Sequence, residues 1–201
     1  MVEFAASSGL TGLEFAAGIY GTVGGAIYGN AGAYGGEIGR LVSEVTLVDK
    51  DGGLKTMPSA YCRFGYRDSY LKQTGEIVTE ADFVLRPEHR DKVREKVEEI
   101  LKVRHIKFPP EGRSAGCFFK NIPDPREPYG KLPAGRLLEQ VGAKGLAVGG
   151  ARVFEGHANI IVNDGGATSR DIRALADILK KKVFEQFGIR LEEEVVQIGE
   201  V

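Results

Sequence analysis

Apolar and polar residues alternate along parts of the first half of the chain, which is the pattern of a half-buried strand. Residues 41–48 alternate most regularly, and Asp51-Gly52-Gly53 after them is typical of a hairpin turn. Residues 54–57 provide the return strand of this hairpin, and residues 76–85 form another strand. The pattern therefore predicts three strands before residue 86.

Three other segments have apolar residues at helical spacing. The first opens at Pro87 and ends near Val103, and a short helix covers residues 133–141. The third is a long helix that begins with Ser169 as its cap and stops at Gly188. These segments supply the helices of the predicted fold.

Short strands complete the second half of the chain. They are predicted over residues 147–153, 158–162 and 191–198. Because strands and helices mix without strict alternation, the pattern predicts an α+β fold. The adjacent prolines Pro109-Pro110 mark the best candidate for a boundary, so the chain of 201 residues is expected to form two domains, 1–108 and 109–201.

Composition excludes several classes of protein. The formal net charge is −1, which provides no overall field that favours nucleic acid or an anionic membrane. No apolar run reaches the roughly 20 residues that a membrane-spanning helix needs. The two cysteines, Cys62 and Cys117, lie far apart, and the three histidines lack ligand spacing, so we expect no metal site. A cytoplasmic, reduced protein is the simplest interpretation.

Glycine is unusually frequent near the start, because eleven of the 28 glycines lie between Gly9 and Gly39. The segment from Gly18 to Glu37 matches neither a P-loop nor a dinucleotide-binding fingerprint. Backbone N–H groups without side chains around them can cradle a pyrophosphate. Glycine-rich turns in a core of small residues explain the same composition, so both interpretations stay open.

Three further segments contain reactive or charged side chains. Arginines and tyrosines in residues 61–69 can clamp an acidic ligand, or they belong to an edge strand with surface ion pairs. Cys117 lies among small residues and cations, which suits a reactive thiol, although a lone cysteine serves equally well in a core. Residues 192–194 are acidic and ordinarily solvated, but in a strand Glu192 and Glu194 share one face.

Eight motifs follow one another along nearly the whole chain. They are Gly12-Leu-Glu-Phe-Ala-Ala-Gly-Ile-Tyr-Gly-Thr-Val-Gly-Gly-Ala, Asn30-Ala-Gly-Ala-Tyr-Gly, Phe64-Gly-Tyr-Arg-Asp-Ser, Ser114-Ala-Gly-Cys-Phe-Phe-Lys-Asn, Ala134-Gly-Arg-Leu-Leu-Glu-Gln, Gly149-Gly-Ala, His157-Ala-Asn-Ile-Ile-Val-Asn and Leu191-Glu-x-Glu-Val. In this order they resemble the UDP-N-acetylenolpyruvoylglucosamine reductase (MurB) family. The resemblance implies the second half of a flavin-binding, vanillyl-alcohol-oxidase-like domain over 1–108, followed by a MurB-type α+β substrate domain over 109–201.

The resemblance also implies a two-step reaction. NADPH reduces bound FAD, and the flavin passes hydride to UDP-N-acetylglucosamine enolpyruvate, which yields UDP-N-acetylmuramate for peptidoglycan synthesis. By this resemblance Arg67 stabilises the enolate-like intermediate, Glu194 is its partnering carboxylate and Cys117 is the proton donor. Electrostatic stabilisation of developing charge and a thiol more acidic than a hydroxyl are both consistent with these roles.

Binding residues follow from the same resemblance. The cofactor-binding residues are Gly21, Thr22, Val23, Gly24, Gly25, Asn30, Gly32 and Ala33. The residues expected near the substrate's diphosphate, uridine or carboxylate are Tyr34, Tyr66, Arg104, Lys107, Asn121 and Gln140. The helix before Arg104 has no inserted tyrosine-bearing loop, as in the shorter variant of the family.

Two positions depart from the family's pattern. Tyr20 occupies a position where the family usually has proline, and Ile122 separates Asn121 from the proline that usually follows it directly. The family also has an N-terminal FAD-binding segment, which is expected to be absent here. A separate N-terminal FAD-binding segment is therefore a possible partner. The alternative function is an inactive nucleotide-sugar-binding module. Another oxidoreductase of the same flavin-binding superfamily is disfavoured, because the motifs around Cys117 and Glu194 match the substrate side.

Overall fold

The computed structural model describes residues 1–108 and 113–199. The chain divides into two compact units, Met1–Val103 and Arg104–Val201. The pair Pro109-Pro110, on which the predicted boundary rests, lies outside the described residues. The assignment of 1–108 and 109–201 as functional domains therefore stays a prediction.

The first unit contains a small antiparallel sheet with helices beside it. Its elements, the last of which continues past Val103, are α1 (Val2–Ser7), β1 (Leu10–Thr11), α2 (Val23–Tyr28), β2 (Gly32–Ala33), β3 (Gly36–Glu37), β4 (Val42–Val48), β5 (Leu54–Pro58), α3 (Leu71–Thr74), β6 (Ile77–Phe83), β7 (Arg86–Pro87) and α4 (Arg90–Lys107). The order of the main sheet is β5-β4-β6, and both pairings are antiparallel. The three strands predicted before residue 86 are thus present.

Alternation along the central strand β4 explains where the core of this sheet lies. Val42, Val45 and Leu47 are buried, and the first of these is separated from the other two by exposed residues. They pack with Ile27 of α2 and Ile38 in the main core of this unit. A shift of register between Val42 and the next paired residue accounts for the break in strict alternation. The core therefore lies on the face of the sheet that carries these side chains.

The helix predicted from Pro87 to Val103 is displaced in the structure. Pro87 pairs with Leu10 in a short ladder, and α4 begins at Arg90. The helix continues to Lys107, because no glycine or proline interrupts it before Pro109. Its apolar stripe includes the buried Val93 and Val97, as the spacing predicts.

The second unit is built around one long helix. Its elements are β8 (Ile122–Pro123), β9 (Lys131–Leu132), α5 (Ala134–Gln140), β10 (Ala147–Val148), β11 (Ala151–Val153), β12 (Ile161–Asn163) and α6 (Ser169–Phe187). The strands β10, β11 and β12 form an antiparallel sheet, and α6 buries Leu175, Leu179 and Val183 in the core of this unit. The mixture of antiparallel strands and helices is the predicted α+β class.

Three predictions for the second unit are wrong in detail. The strand predicted over 147–153 is a hairpin, because Gly149 has a φ of 52° and turns the chain between β10 and β11. The final strand over 191–198 is reduced to a single bridge at Glu193. The cap of α6 is Thr168, not Ser169: its hydroxyl accepts from the N–H of Asp171 while the Asp171 carboxylate accepts from the Thr168 N–H.

Candidate functional site

A cavity of about 420 Å³ lies in the first unit, beside the glycine-rich segment. Its wall is mostly apolar and contains Phe15, Ile19 and Ile38. Four of the predicted cofactor-binding residues line it, and they are consecutive except for one gap: Gly21, Thr22, Val23 and Gly25. An apolar cleft next to exposed backbone suits a flat aromatic ring system with a polar edge.

The beginning of α2 brings these four residues to the cavity. Thr22 caps the helix, because its hydroxyl accepts a hydrogen bond from the Gly25 N–H at 3.0 Å. Gly24 does not line the cavity: a Cβ on it would lie 3.2 Å from the carbonyl oxygen of Val78 in β6. Its lack of a side chain therefore serves the packing of α2 on the sheet.

Another group of predicted residues surrounds Arg67 in the same unit. The N–H groups of Gly65 and Asp68 each donate to the other's carbonyl oxygen, at 2.9 and 3.2 Å, so residues 65–68 form a four-residue turn. Arg67 is its third residue and has a φ of 54°, a conformation usually taken there by glycine or asparagine. The Arg67 Nη2 donates to the Gly32 carbonyl oxygen at 2.6 Å.

The Tyr66 ring and Asn30 contact residues of this turn, and Ala33 and Tyr34 follow Asn30 in the glycine-rich segment. The Arg67 guanidinium carbon is 5.3 Å from the centre of the Tyr66 ring. Tyr34 is 45% exposed with a φ of 50°, and Ala33 pairs with Gly36 between β2 and β3. Asn30 is buried and hydrogen-bonds the carbonyl oxygen of Gly65. Asn30, Gly32 and Ala33 do not themselves line the cavity, although Ala31 between them does.

The predicted proton donor lies in an extended segment of the second unit, residues 117–120. Cys117 is bridged to Ile160, and the N–H of Phe118 donates to the carbonyl oxygen of Asn159 at 2.7 Å. Cys117 is in no disulfide bond, and the residue is partly exposed. The other cysteine, Cys62 in the first unit, is fully buried, and burial followed by the charge of Glu76 raises its thiol pKa. Of the two, only Cys117 has the exposure that a proton donor needs.

A second segment, residues 192–194, pairs with residues 117–120. The N–H of Glu194 donates to the carbonyl oxygen of Phe118 and the N–H of Lys120 to that of Glu192, both at 2.8 Å. The predicted catalytic Glu194 is therefore hydrogen-bonded through its backbone to Phe118, the residue after Cys117. Segments 117–120 and 192–194 are neighbours, but Cys117 itself pairs with Ile160, so the two predicted residues belong to different pairings.

The other two glutamates of the acidic run have separate partners. Glu192 forms an ion pair with Lys120, and Glu193 forms one with Lys180 of α6. Glu192 is the more exposed of the two. These ion pairs distinguish the three glutamates, which the sequence could separate only by strand alternation.

Asn159 is a residue of this region that the sequence predictions missed. It is 3% exposed, its Oδ1 accepts from the Phe119 N–H at 2.9 Å, and its Nδ2 donates to the Phe119 carbonyl oxygen at 2.8 Å. The side-chain amide thus bonds both backbone groups of Phe119, as a neighbouring strand would. The available signal was an amide between apolar residues in His157-Ala-Asn-Ile, where a buried polar group needs partners.

The other predicted substrate-binding residues lie elsewhere in the second unit. The Arg104 guanidinium carbon is 5.4 Å from the centre of the Phe108 ring, and Lys107 and Gln140 are exposed at the ends of α4 and α5. Asn121 acts at the start of α5, because its Oδ1 accepts from the Ala134 N–H at 3.1 Å. This bond gives Asn121 a structural role beside the predicted one.

His157 lies among these residues as well. Burial lowers its pKa, and the nearby Lys107 lowers it further. Its Nδ1 accepts a hydrogen bond from the Asn159 N–H at 3.2 Å, so this nitrogen carries no proton. The neutral ring supports the turn that leads to Asn159. Within residues 1–108 and 113–199, no three His, Cys, Asp or Glu side chains form a group that could hold a metal ion.

Comparison with known proteins places these features in a family. A model described as FAD binding domain matches residues 1–57, and the model of the UDP-N-acetylenolpyruvoylglucosamine reductase C-terminal domain matches residues 108–198. The two matches define the class as a flavoprotein oxidoreductase with an α+β C-terminal domain, in agreement with the predicted fold class. They also cover both the cavity and the Cys117 region.

Individual relatives agree with the family models. UDP-N-acetylenolpyruvoylglucosamine reductase of Solibacter usitatus is 42% identical over 99% of this chain and 68% of that protein. The protein of the same name from Heliobacterium modesticaldum is 41% identical over 100% of this chain and 62% of its own length. The crystal structure of UDP-N-acetylenolpyruvylglucosamine reductase from Thermus caldophilus superimposes with a TM-score of 0.79 at 36% identity, over 96% of this chain and 66% of that one.

The chain belongs to the UDP-N-acetylenolpyruvoylglucosamine reductase family, as the eight motifs predict. It spans about two thirds of the length of the curated relatives it matches. Among the residues that the structure describes, no helix is both long and apolar enough to cross a bilayer.

Proposed function

We propose that the protein containing this chain reduces UDP-N-acetylglucosamine enolpyruvate to UDP-N-acetylmuramate, with NADPH as reductant and FAD as mediator. The observation that carries the proposal is the 42% identity, over 99% of the chain, to a reductase named for this substrate. Peptidoglycan precursor synthesis in the cytoplasm is the corresponding cellular role. The predicted site residues keep their roles as part of this proposal.

The cofactor fits the residues that are present. The chemistry that FAD supplies when bound is transfer of a hydride, taken from NADPH, to C3 of the enolpyruvyl group. Gly21, Thr22, Val23 and Gly25 would hold it, because they line the apolar cavity and are exposed residues. Gly24, Asn30, Gly32 and Ala33 do not line the cavity. We propose that Gly24, Gly32 and Ala33 support this site from outside it, and that Asn30 supports the turn of Arg67 instead.

Arg67 is the proposed electrostatic catalyst. Negative charge develops on the substrate carboxylate and C2 when hydride arrives at C3, and a guanidinium stabilises such charge if it is oriented beforehand. The Arg67 side chain is already directed by its bond to Gly32 and by the Tyr66 ring. Tyr34, Tyr66, Arg104, Lys107, Asn121 and Gln140 are proposed to bind other parts of the substrate.

Cys117 is the proposed source of the proton that C2 receives. The thiol S–H bond breaks, the C2–H bond forms, and the thiolate is reprotonated from solvent. The N–H of Glu194 bonds the carbonyl oxygen of Phe118, the neighbour of Cys117. We propose that the Glu194 carboxyl group is protonated or hydrogen-bonded during the reaction. An ionised carboxylate at that place would repel the charge that develops on C2.

Replacement of Cys117 tests the assignment of the proton donor. In Cys117→Ala, reduction of bound FAD by NADPH stays normal, whereas reoxidation by the enolpyruvyl substrate falls by about 100-fold or more, because general acid catalysis is lost. Cys117→Ser retains a donor and loses less. The matched control is Cys62→Ala, since Cys62 is the buried cysteine. Stopped-flow absorbance of the flavin measures both half-reactions, and full activity in Cys117→Ala would refute the role.

The family match favours the reductase over the nucleotide-sugar-binding alternative, and one assay separates the two. The chain is assayed for substrate-dependent NADPH oxidation by itself and mixed with the FAD-binding segment of a longer relative. Turnover in either preparation supports the reductase. Calorimetric binding of the UDP-sugar, together with bound flavin but no turnover in either preparation, supports the binding module instead.

A further inference from the structure

A buried asparagine in the glycine-rich segment contacts the turn that carries Arg67. Asn30 is 1% exposed and has a φ of 44°, in the left-handed region. Its Nδ2 donates to the Gly65 carbonyl oxygen at 2.7 Å, with a longer contact of 3.5 Å to the Glu37 carboxylate. Its Oδ1 accepts from the Gly39 N–H at 2.9 Å. Both ends of the amide are used inside the protein, and the burial leaves no surface of it for a ligand.

Three hydrogen bonds join residues 28–32 to residues 65–69. The Ser69 hydroxyl donates to the carbonyl oxygen of Tyr28 at 2.6 Å, and the Arg67 guanidinium donates to that of Gly32 at 2.6 Å. The bond from Asn30 to Gly65 lies between these two along the glycine-rich segment. Of these three bonds, it is the one in which the glycine-rich segment contributes the side chain, so a substitution within that segment removes it.

The backbone of Arg67 needs this support. A left-handed φ is unfavourable for a residue with a side chain, and such residues keep it only where their surroundings determine it. Gly65, which receives the Asn30 bond, is the first residue of the turn, and Arg67 is the third. Lys72 adds a bond from its Nζ to the Arg67 carbonyl oxygen at 2.6 Å, but that lysine is exposed. Asn30 therefore provides a buried side-chain contact to the turn.

We propose that Asn30 is a positioning residue that acts through Arg67, and that it does not contact the cofactor. It fixes the turn so that the guanidinium is already aligned when the substrate binds. The catalytic part of this proposal rests on the proposed function, since Arg67 acts on the substrate only in that reaction. The structural part does not depend on it.

Asn30→Asp tests the structural part, because aspartate keeps the size of the side chain and its acceptor for Gly39 but lacks the donor for Gly65. Hydrogen exchange, measured by mass spectrometry on the peptide that covers 65–69, is expected to accelerate by about tenfold or more. The matched control is Asn159→Asp, which alters a buried amide with equally complete bonding in the other unit. It should leave exchange at 65–69 unchanged. Unchanged exchange in Asn30→Asp would overturn the proposal whether or not the protein is a reductase.

A double-mutant cycle with Arg67→Ala tests the catalytic part in the FAD-loaded protein. Asn30→Asp should slow reoxidation of the flavin by substrate about tenfold, with flavin content and reduction by NADPH unaffected. In the Arg67→Ala background the same substitution should cost less than about twofold, because the residue it acts through is gone. Additive losses, or loss of bound flavin, would refute a role through Arg67. Absence of turnover in the parent protein would refute the proposed function and leave the exchange result as the test of positioning.

Discussion

Residues with a positive φ cluster at predicted functional positions. Among the described residues, five other than glycine have this conformation: Asn30, Tyr34, Arg63, Arg67 and Tyr129. Three of the five had been assigned to catalysis or binding from the sequence resemblance alone. Unfavourable backbone is retained where surrounding contacts fix it, and a site that must hold a charged group in one direction is such a place.

The conformation of Arg67 leads to a stability prediction that separates backbone from side chain. Arg67→Gly and Arg67→Ala both remove the guanidinium, and both should abolish most activity. Because glycine adopts a φ of 54° without steric cost, Arg67→Gly should be more stable than Arg67→Ala by roughly 1 kcal/mol. Urea unfolding followed by circular dichroism measures the difference. Equal stability would mean that the turn relaxes to a negative φ once arginine is replaced.

At the scale of elements, local sequence signals located the helices and strands better than their ends. Strands β4, β5 and β6 follow from alternation and the Asp51-Gly52-Gly53 turn, because these signals depend on neighbouring residues. Residues 192–199 have similar alternation, yet among them only Glu193 is bridged. Pairing with a distant segment, not alternation, decides whether such a stretch forms a strand, and one sequence does not contain that information.

The N-terminal cap of α6 also shows that local sequence signals do not locate the end of a helix to one residue. Both Thr168 and Ser169 are suitable capping residues, and only the backbone, extended at Thr168 and helical from Ser169, distinguishes them. Thr168→Ala should therefore destabilise the protein by about 1 kcal/mol, whereas Ser169→Ala should change stability by less than about 0.5 kcal/mol. Thermal unfolding of the two variants compares them directly. A larger effect at Ser169 would place the cap at the residue first predicted.

The candidate site was predictable to the extent that residues act alone. Arg67, Cys117 and Glu194 were assigned from motifs, and the structure places the second and third in paired segments. The hydrogen bonds of two supporting amides were not predicted: Asn159 was not selected at all, and Asn30 was selected for the cofactor, an assignment that stays a prediction. Their role depends on which backbone groups they meet across about 40 and 35 residues of chain, respectively.

At the scale of the whole molecule, each unit contains titrating groups whose pKa is lowered in the folded state, so that acid destabilises the fold. Burial lowers the pKa of His157 from its ordinary 6.5. For Glu14 and Glu76, burial alone would raise the pKa, but hydrogen bonds outweigh it, and the pKa of each carboxyl lies below the usual 4.5. In all three cases the unfolded chain binds protons more readily than the folded one, so stability falls with decreasing pH.

Acidification should therefore destabilise the chain in two stages. The contribution of His157 is complete above pH 6.5 and is lost as pH falls through the lowered pKa, whereas the carboxyl contributions decline only below pH 4.5. Denaturant unfolding at a series of pH values should show both stages. His157→Gln should remove the first stage and leave the second. A first stage of the same size in that variant would assign it to another group.

The pairing around Phe119 also determines how late in synthesis this region can fold. Asn159 follows Phe119 by 40 residues, and Glu193 follows it by 74. Contacts between such distant residues form late, because a long loop must close before they are gained. While the ribosome is still making the C-terminal part, the Cys117 thiol has neither neighbouring segment beside it. We expect the nascent chain to be more easily oxidised at Cys117 than the finished protein, which thiol labelling of stalled ribosome complexes would measure.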